Sequence, residues 1–352
     1  MTILNPLEIP TNEQVMFLGP SMGLQRYDKF KHPVFFDLFK KQLEFFWRPE
    51  EISLSKDRGD YETLQDHEKH IFTSNLLFQT MLDSVVSRGV PILLGKVTNP
   101  ELEACFNAWQ LFETIHSYSY TYIIKNLYPN PGEVLDRALQ DKEILKRSSS
   151  VKEQYDKLQS GRDVDVKSQI YLTLISVNIL EAIRFYVSFI CAFAFAENKK
   201  MIGNADIIRL IKRDEAVHLY ITQNIINILK NDPSEGFVDT IRANEDKAIQ
   251  MFIDGANEEK EWASYLFKDG SILGLNEKIL GNYIEWLTDS RLEALGMPKQ
   301  YNVKNPSIGS WVNAWMESST VQVAPQESEI TSYKIGAFTK DLDNEELSQW
   351  QL

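Results

Sequence analysis

Residues 111–124 read "LFETIHSYSYTYII", and the positions of Glu113, His116 and Tyr120 within this stretch indicate the fold. Residues three or four apart lie on the same face of a helix, so these three polar side chains share one stripe. The residues around them are mostly apolar or aromatic, which predicts that the stripe faces a core. Taken alone, Glu-x-x-His is a weak signal, because a surface pair or a hydrogen-bonded core pair has the same spacing.

A second segment repeats the motif. Residues 213–218 read "RDEAVH", which places Glu215 and His218 at the same spacing, and apolar residues such as Ile211 and Ile225 fall on the same helical stripe. Two of the five histidines of the chain therefore occur in one pattern on two core-facing helices.

Two further acidic residues, Asp83 and Glu181, lie in apolar segments with helical periodicity. Because a buried unpaired carboxylate is costly, these two and the two motif glutamates need a common partner. Two divalent metal ions would balance the four negative charges, and carboxylate and imidazole ligands suit iron or manganese. The alternative is a set of separate core salt bridges, for which Arg184 and Arg213 could serve at most two carboxylates.

A carboxylate from each of two helices, combined with Glu-x-x-His from each of two others, is the ligand pattern of ferritin-like di-metal proteins. The sequence therefore predicts an all-α fold whose core is a ferritin-like four-helix bundle with additional helices. The predicted metal ligands are Asp83, Glu113, His116, Glu181, Glu215 and His218.

The tyrosines that follow His116 differ in direction. Tyr120 lies one turn after His116, whereas Tyr118 and Tyr122 are rotated away by roughly 200° and 240°. Only Tyr120 is therefore expected to point at the metals. A tyrosine beside a metal pair that activates dioxygen can be oxidised to a radical, which a dry pocket would preserve; alternatively, Tyr120 only donates a hydrogen bond near the ligands. Helical counting predicts an apolar wall for this pocket from Phe185, Phe189 and Ile211.

Composition restricts the class of protein. The 352 residues are 43% hydrophobic and 25% charged, which is typical of a globular chain, and the formal charge of −13 disfavours partners such as nucleic acid or anionic membranes. Cys105 and Cys191 have no metal-site spacing and are expected in the core. The N-terminus shows no secretory pattern, so a reducing, cytoplasmic location is expected.

Apolar periodicity predicts a helical piece at 34–47 and helices at 66–88, 100–127, 135–159, 165–197, 203–230, 236–268 and 274–296. Residues 170–196 are apolar enough for a membrane span, but Asn178, Glu181 and Arg184 near the middle favour a buried helix. We expect residues 1–324 to form a single ferritin-like helical domain. Residues 325–352 hold six acidic residues and few aliphatic ones, which predicts a flexible tail.

The chain resembles the small (beta) subunit of class I ribonucleotide reductase, of the aerobic bacterial and phage type. The resemblance runs nearly end to end and is carried by the segments "RYDKFKHPVF", "FFWRPEE", "HEKHIFTSNL", "ETIHSYSYTYII", "LEAIRFYVSF", "RDEAVH", "YLFKDGSILGLN" and "VQVAPQE". It implies a homodimer with two iron ions per subunit. With dioxygen, that centre would form a stable radical at Tyr120, which a large (alpha) subunit uses to reduce ribonucleotides to deoxyribonucleotides.

The resemblance also implies a path for radical transfer. It starts at Trp47 of "FFWRPEE", which is tied to the metals through Asp214 and His116, and it leaves through Tyr333 with the help of Glu327. The C-terminal "LSQWQL" would dock on the large subunit. Neither cysteine lies near the site motifs, which agrees with nucleotide reduction on the partner, since ribose reduction requires thiols.

Two departures from the family pattern stand out. Related sequences often read Ser-Arg-Ser-Tyr-Thr-His where this chain has Ser-Tyr-Ser-Tyr-Thr-Tyr, so Tyr118 and Tyr122 could divert the oxidising equivalent. The segment between about 150 and 168 is shorter than in many members. A manganese–iron pair remains open, as do two other functions: a di-metal oxidase or monooxygenase on the same fold, and an iron-storage ferroxidase.

Overall fold

Long α-helices account for most of the computed structural model, which describes residues 4–6, 10–162, 165–304, 306, 311–312 and 315. Within these residues, extended pairing is limited to two isolated bridges, Phe17 with Val97 and Ile272 with Leu275. The expected all-α class is therefore confirmed. In chain order the helices are α1 (Pro33–Glu44), α2 (Ser55–Thr63), α3 (Asp66–Leu94), α4 (Pro100–Leu127), α5 (Pro131–Ala138), α6 (Lys142–Ser160), α7 (Val166–Ile179), α8 (Phe185–Glu197), α9 (Ile202–Asn231), α10 (Val238–Leu266) and α11 (Glu277–Ala294).

Four long helical segments build the core. Helix α3 packs on α4 and α8, and α9 packs on α4, α7 and α8. Helices α7 and α8 form one continuous segment, joined by a π-helical turn at Leu180–Arg184. Around this core, α1 packs on α4, α6 on α3 and α7, and α10 on α7 and α11.

The segment that could be mistaken for a membrane span lies inside the protein. Val166–Glu197 is long and apolar enough to cross a membrane, but the apolar window that passes this test is entirely buried in the fold. The expectation of a buried core helix is confirmed. Helices α3, α6, α9 and α10 pack along it and cover its surface.

Helix ends agree with the sequence signals in several places. The side chain of Asn99 accepts a hydrogen bond from the amide of Leu102, and Pro100 occupies the first turn of α4. The long helix predicted for 135–159 is wrong in one respect, because residues 139–141 separate α5 from α6. Asp141 caps α6 through hydrogen bonds from the amides of Glu143 and Ile144.

The structure differs from the prediction in two further ways, in the length of one helix and in the presence of an additional helix. Helix α3 continues to Leu94 rather than ending near residue 88, with Pro91 inside its last turn. Helix α2, with the sequence "SKDRGDYET", was not predicted, because it is almost wholly polar and offers no apolar period. Cys105 and Cys191 are free and buried, as expected. The predicted tail, residues 325–352, lies outside the described residues.

Candidate metal centre

Six side chains from the four core segments converge on one buried point. Asp83 comes from α3, the pair Glu113 and His116 from α4, Glu181 from the π turn, and the pair Glu215 and His218 from α9. None of the six has any exposed surface.

Their ligand atoms fall into two groups that share two carboxylates. In each group, one possible ligand atom per residue lies within 4.8 Å of all the others. The first group contains Asp83 and His116, the second contains Glu181 and His218, and both contain Glu113 and Glu215. Two adjacent ion sites with two shared carboxylates would follow from this arrangement.

Short contacts link the two helices that carry the Glu-x-x-His motifs. His116 Nδ1 lies 3.1 Å from Glu215 Oε1, and His218 Nδ1 lies 3.2 Å from Glu113 Oε1. His218 Nδ1 is also 2.7 Å from Glu215 Oε2 within its own motif. Each histidine therefore faces the glutamate of the opposite helix, which brings both shared carboxylates between the two imidazoles.

Several donor atoms of the cluster are unsatisfied within the described part of the chain. Both carboxylate oxygens of Asp83 and both of Glu181 are buried there without a hydrogen-bond partner, as are Glu113 Oε2 and His218 Nε2. Leaving such atoms without partners costs free energy for each group. Oxygen and imidazole donors without a cysteine fit a pair of divalent ions of the iron or manganese type. The residues present thus fit a di-metal site.

The cations proposed for the salt-bridge alternative have other partners. Arg184 Nη2 lies 2.7 Å from Glu258 Oε2, on the side of α10. Arg213 donates to the carbonyl of Phe45 at 2.7 Å, and its Nε lies 3.4 Å from Asp214 Oδ1.

Burial and mutual charge shift the ionisation of the cluster. Burial, followed by the charges of neighbouring carboxylates, raises the pKa of Asp83 and of Glu181. Glu215 behaves oppositely: burial acts to raise its pKa, but His116 and His218 outweigh it and lower the pKa. Burial acts to lower the pKa of His218, but the charge of Glu215 and hydrogen bonding to carboxylates raise it to about 9. Cations bound among these carboxylates would favour their ionised form and so oppose the rise in pKa.

The second ring nitrogen of His116, Nε2, is connected to a tryptophan through an aspartate. This nitrogen lies 3.1 Å from Asp214 Oδ2, and the same oxygen accepts a hydrogen bond of 2.7 Å from Trp47 Nε1. The Trp47 ring is fully buried, with its centroid 6.4 Å from that of the imidazole. Since a carboxylate accepts, Nε2 of His116 carries the proton and Nδ1 is left for a metal. The three residues form a continuous hydrogen-bonded chain.

Tyr120 is fully buried, and its hydroxyl has no hydrogen-bond partner among the described residues. Burial is the main reason that its pKa lies well above the usual value, and the charge of Asp83 adds to it. The three residues predicted to wall the pocket belong to the same buried apolar cluster as Tyr120 and have no exposed surface. They are Phe185, Phe189 and Ile211.

The two neighbouring tyrosines point elsewhere, as helix geometry predicts. Tyr118 is 46% exposed and donates a hydrogen bond to Glu50. Tyr122 is half-buried and donates to the carbonyl of Ile52 at 3.2 Å.

The structure adds two residues to which sequence reasoning gave no role. Trp109 donates a hydrogen bond of 2.7 Å to Glu113 Oε1, and its ring stacks on His218 with centroids 5.1 Å apart. Its position four residues before Glu113 was the available signal. Tyr155 of α6 is buried with an unpaired hydroxyl in the described structure, and the charge of Glu181 contributes to its raised pKa after burial. No sequence signal connected Tyr155 with the site.

Known proteins share this sequence and architecture. A sequence model described as "Ribonucleotide reductase, small chain" matches residues 25–306. The chain belongs to the ribonucleotide reductase small-chain family. The "Ribonucleoside-diphosphate reductase subunit beta" of Buchnera aphidicola subsp. Baizongia pistaciae is 45% identical over 360 residues, covering 96% of each chain. Its counterpart in Escherichia coli O157:H7 is 43% identical over 97% of this chain and 96% of its own length.

A solved structure agrees with this membership. The ribonucleotide reductase R2 subunit from Clostridium botulinum superposes with a TM-score of 0.82 at 29% identity, covering 90% of this chain and 98% of that one. The expected ferritin-like fold, and the expected oxidoreductase that acts as a ribonucleoside-diphosphate reductase beta subunit, are therefore confirmed. Small chains of this family work with a large subunit. Of the predicted transfer residues, Trp47 and Asp214 lie beside the cluster, whereas Glu327 and Tyr333 lie outside the described residues.

Proposed function

We propose that this chain is the radical-generating subunit of ribonucleoside-diphosphate reductase, with a stable radical on Tyr120 that a large subunit uses to reduce ribonucleotides. One observation carries the proposal. A fully buried tyrosine, whose hydroxyl has no hydrogen-bond partner among the described residues, belongs to the same core as a cluster of four carboxylates and two imidazoles, and these carboxylates act on its pKa.

We assign the ligands from the two groups of donor atoms. Asp83 and His116 would hold one iron ion, Glu181 and His218 the other, and the two remaining glutamates both ions. When bound, two iron ions supply activation of dioxygen and hence an oxidant strong enough to oxidise a phenol. A manganese–iron pair would use the same donors.

The residues around Tyr120 would control its proton and its exposure to water. The hydroxyl keeps its proton in the resting protein, because its pKa is raised. Oxidation makes a phenol strongly acidic, so the proton must leave with the electron. Asp83 is the acceptor we propose, since among the carboxylates of the cluster its charge has the largest influence on this hydroxyl. Phe185, Phe189 and Ile211 would keep water from the radical.

Radical transfer would use the hydrogen-bonded chain from His116 through Asp214 to Trp47. Glu327 and Tyr333 would continue it toward the large subunit. In this proposal, residues 1–324 form one helical domain, and residues 325–352 form the segment that carries the transfer and docks on the large subunit. The working unit would be a cytoplasmic homodimer without nucleic-acid or membrane partners, in keeping with the net charge of −13.

The decisive experiment is reconstitution of the apoprotein with Fe(II) without oxygen, followed by oxygen and EPR spectroscopy, for the wild type and Tyr120→Phe. We expect a tyrosyl doublet in the wild type only, with about two iron ions per chain in both proteins. A doublet that persists in Tyr120→Phe would contradict the assignment of the radical. Iron binding without any radical would lead us to test manganese with iron, and then the oxidase function.

A further inference from the structure

A second buried pair of charges lies outside the metal cluster. Arg147 of α6 donates from Nε to Glu259 Oε1 of α10 at 2.6 Å, and its Nη2 donates to the other oxygen of the same carboxylate. The side chains are 3% and 0% exposed. The guanidinium carbon lies 3.4 Å from the centroid of the Phe78 ring and 4.7 Å from that of Trp262, so aromatic rings complete its surroundings.

This pair reaches the π turn that carries Glu181. Arg147 Nη2 donates to the carbonyl of Arg184 at 3.3 Å, and Arg184 Nη1 donates to the carbonyl of Arg147 at 3.4 Å. Arg184 also lies 2.7 Å from Glu258 and donates to Ser150 at 2.9 Å. The last residue of the π turn is therefore fastened to α6 and to α10 at the same time.

The π turn needs such external support. The amide of Phe185 donates to the carbonyl of Leu180, five residues earlier, instead of four. π-Helical turns are rare, and single ones inside α-helices are frequently found at functional sites. Close packing holds the preceding turn as well, because a Cβ at Gly255 of α10 would come within 2.8 Å of Ile179 Cγ2. Helix α10 thus packs closely against the side chain of Ile179, two residues before Glu181.

Stability alone does not account for the buried pair. Burial lowers the pKa of Arg147 to about 10 and raises the pKa of Glu259, which means that each charge loses more solvation than its partner restores. Replacing buried ion pairs with apolar residues is often neutral for stability, whereas removing one partner is costly. The pair instead fixes the position of the Arg147 side chain. Two hydrogen bonds hold it on the Glu259 carboxylate, and a third joins it to the carbonyl of Arg184 in the π turn.

We infer that Arg147 and Glu259 are positioning residues, which hold the π turn in the register that aims the Glu181 carboxylate at the second ion site. The inference rests on the proposed di-metal function. In the absence of the pair, the segment could relax toward an ordinary α-helical register, which would turn Glu181 away from Glu113 and Glu215.

The test measures metal binding and local opening rather than turnover. Apoprotein is titrated with Co(II) under anaerobic conditions, and the visible absorption of each bound ion is recorded. Hydrogen exchange of the peptide covering residues 176–188 is followed in the same apoprotein. In Arg147→Met we expect weaker binding of one of two Co(II) ions by roughly tenfold or more, as for other residues that orient metal ligands. We also expect faster exchange confined to that peptide.

A matched control is available on the same two helices. Lys146 lies 2.6 Å from Glu261, and both side chains are 62% exposed. Lys146→Met breaks this surface pair between α6 and α10 and should leave both measurements as in the wild type. Glu259 also lies 3.7 Å from Arg184 Nη1, but Arg147→Met removes the two hydrogen bonds that satisfy its carboxylate. If Arg147→Met does not fold for this reason, the double variant Arg147→Met/Glu259→Leu removes both charges and takes the place of the single variant in the test.

Each outcome decides one of the two proposals. If the wild type binds two Co(II) ions and the folded variant has the same affinities and the same exchange, the positioning role is wrong and the di-metal function stands. If Lys146→Met has the same effect as Arg147→Met, the effect belongs to α6–α10 packing in general, and the inference is likewise wrong. If the wild type does not bind two ions, the proposed function fails, whatever the exchange shows.

Discussion

Asp214 has no direct place in the two groups of metal-ligand atoms, yet its Oδ2 joins His116 to Trp47. Replacement with asparagine keeps the shape of the side chain but removes its negative charge. It also replaces one of the two acceptor oxygens with an NH2 group, which can only donate. We predict that Asp214→Asn still forms the Tyr120 radical after iron and oxygen are added, and that ribonucleotide reduction with the large subunit falls by roughly tenfold to a hundredfold. EPR amplitude and product formation measure the two effects separately. Asp206→Asn, on the same helix α9, is the control, and unchanged turnover in Asp214→Asn would contradict the transfer role.

At the scale of the elements, the contact between α3 and α6 depends on one glycine. A Cβ at Gly89 would overlap with the ring of Tyr155, which is buried in the core. We predict that Gly89→Ala lowers the free energy of unfolding by about 1–3 kcal/mol through overpacking, as measured by denaturant titration.

Gly59 provides the matched control for this prediction. It is exposed in α2, and a Cβ there would have no atom within 4 Å. Because alanine is the better helix former, Gly59→Ala should stabilise the protein by up to about 1 kcal/mol. Equal effects of the two substitutions would show that Tyr155 does not constrain the approach of α6.

At the scale of the whole molecule, Glu235 ties the N-terminal segment to the far end of α9. Its carboxylate accepts from the amide of Met16 at 2.8 Å and lies 2.5 Å from Lys31 Nζ and 2.8 Å from His32 Nε2. Burial acts to raise its pKa, but these partners outweigh burial and lower it below the ordinary 4.5. The ionised form is therefore favoured by folding.

The lowered pKa of Glu235 determines how the stability of the protein depends on pH. A lowered folded pKa contributes stability that is fully present above the unfolded pKa of 4.5 and is lost as pH falls through the lower folded value. We predict that Glu235→Gln is less stable than the wild type by about 1–3 kcal/mol at pH 7, and that the difference shrinks as pH falls below about 4.5. Thermal unfolding of both proteins across this range measures it. A difference that grows toward low pH would contradict the assignment.

The C-terminal segment can be tested separately from the metal centre. Removal of the last twenty residues takes away Tyr333 and the sequence that we propose to dock. We predict that the truncated chain forms the Tyr120 radical with unchanged yield and has no activity with the large subunit. EPR of the truncated chain and an assay with excess large subunit distinguish the two functions. Full activity after truncation would show that docking lies elsewhere.

Periodicity was sufficient to predict the core helices, since the stripes around Glu113 and Glu215 are long and regular. Periodicity also predicted that Asp83 and Glu181 lie beside these motifs, because a carboxylate on an otherwise apolar helix is buried and needs a partner. Local sequence could not indicate the π turn, since nothing in "LEAIR" distinguishes it from an α-helical turn. Nor could it indicate that Arg147 pairs with Glu259, because such pairing depends on how α6 and α10 pack.

The two buried cysteines have a practical consequence for work on this protein. Burial raises the pKa of the Cys191 thiol to about 12 and that of Cys105 further still, so both remain protonated and inaccessible at neutral pH. Thiol reagents react with thiolates. A single cysteine introduced on the surface would therefore be the one thiol that a maleimide or nitroxide reagent modifies. The native chain can serve directly as the background for spin labels that measure distances to Tyr120.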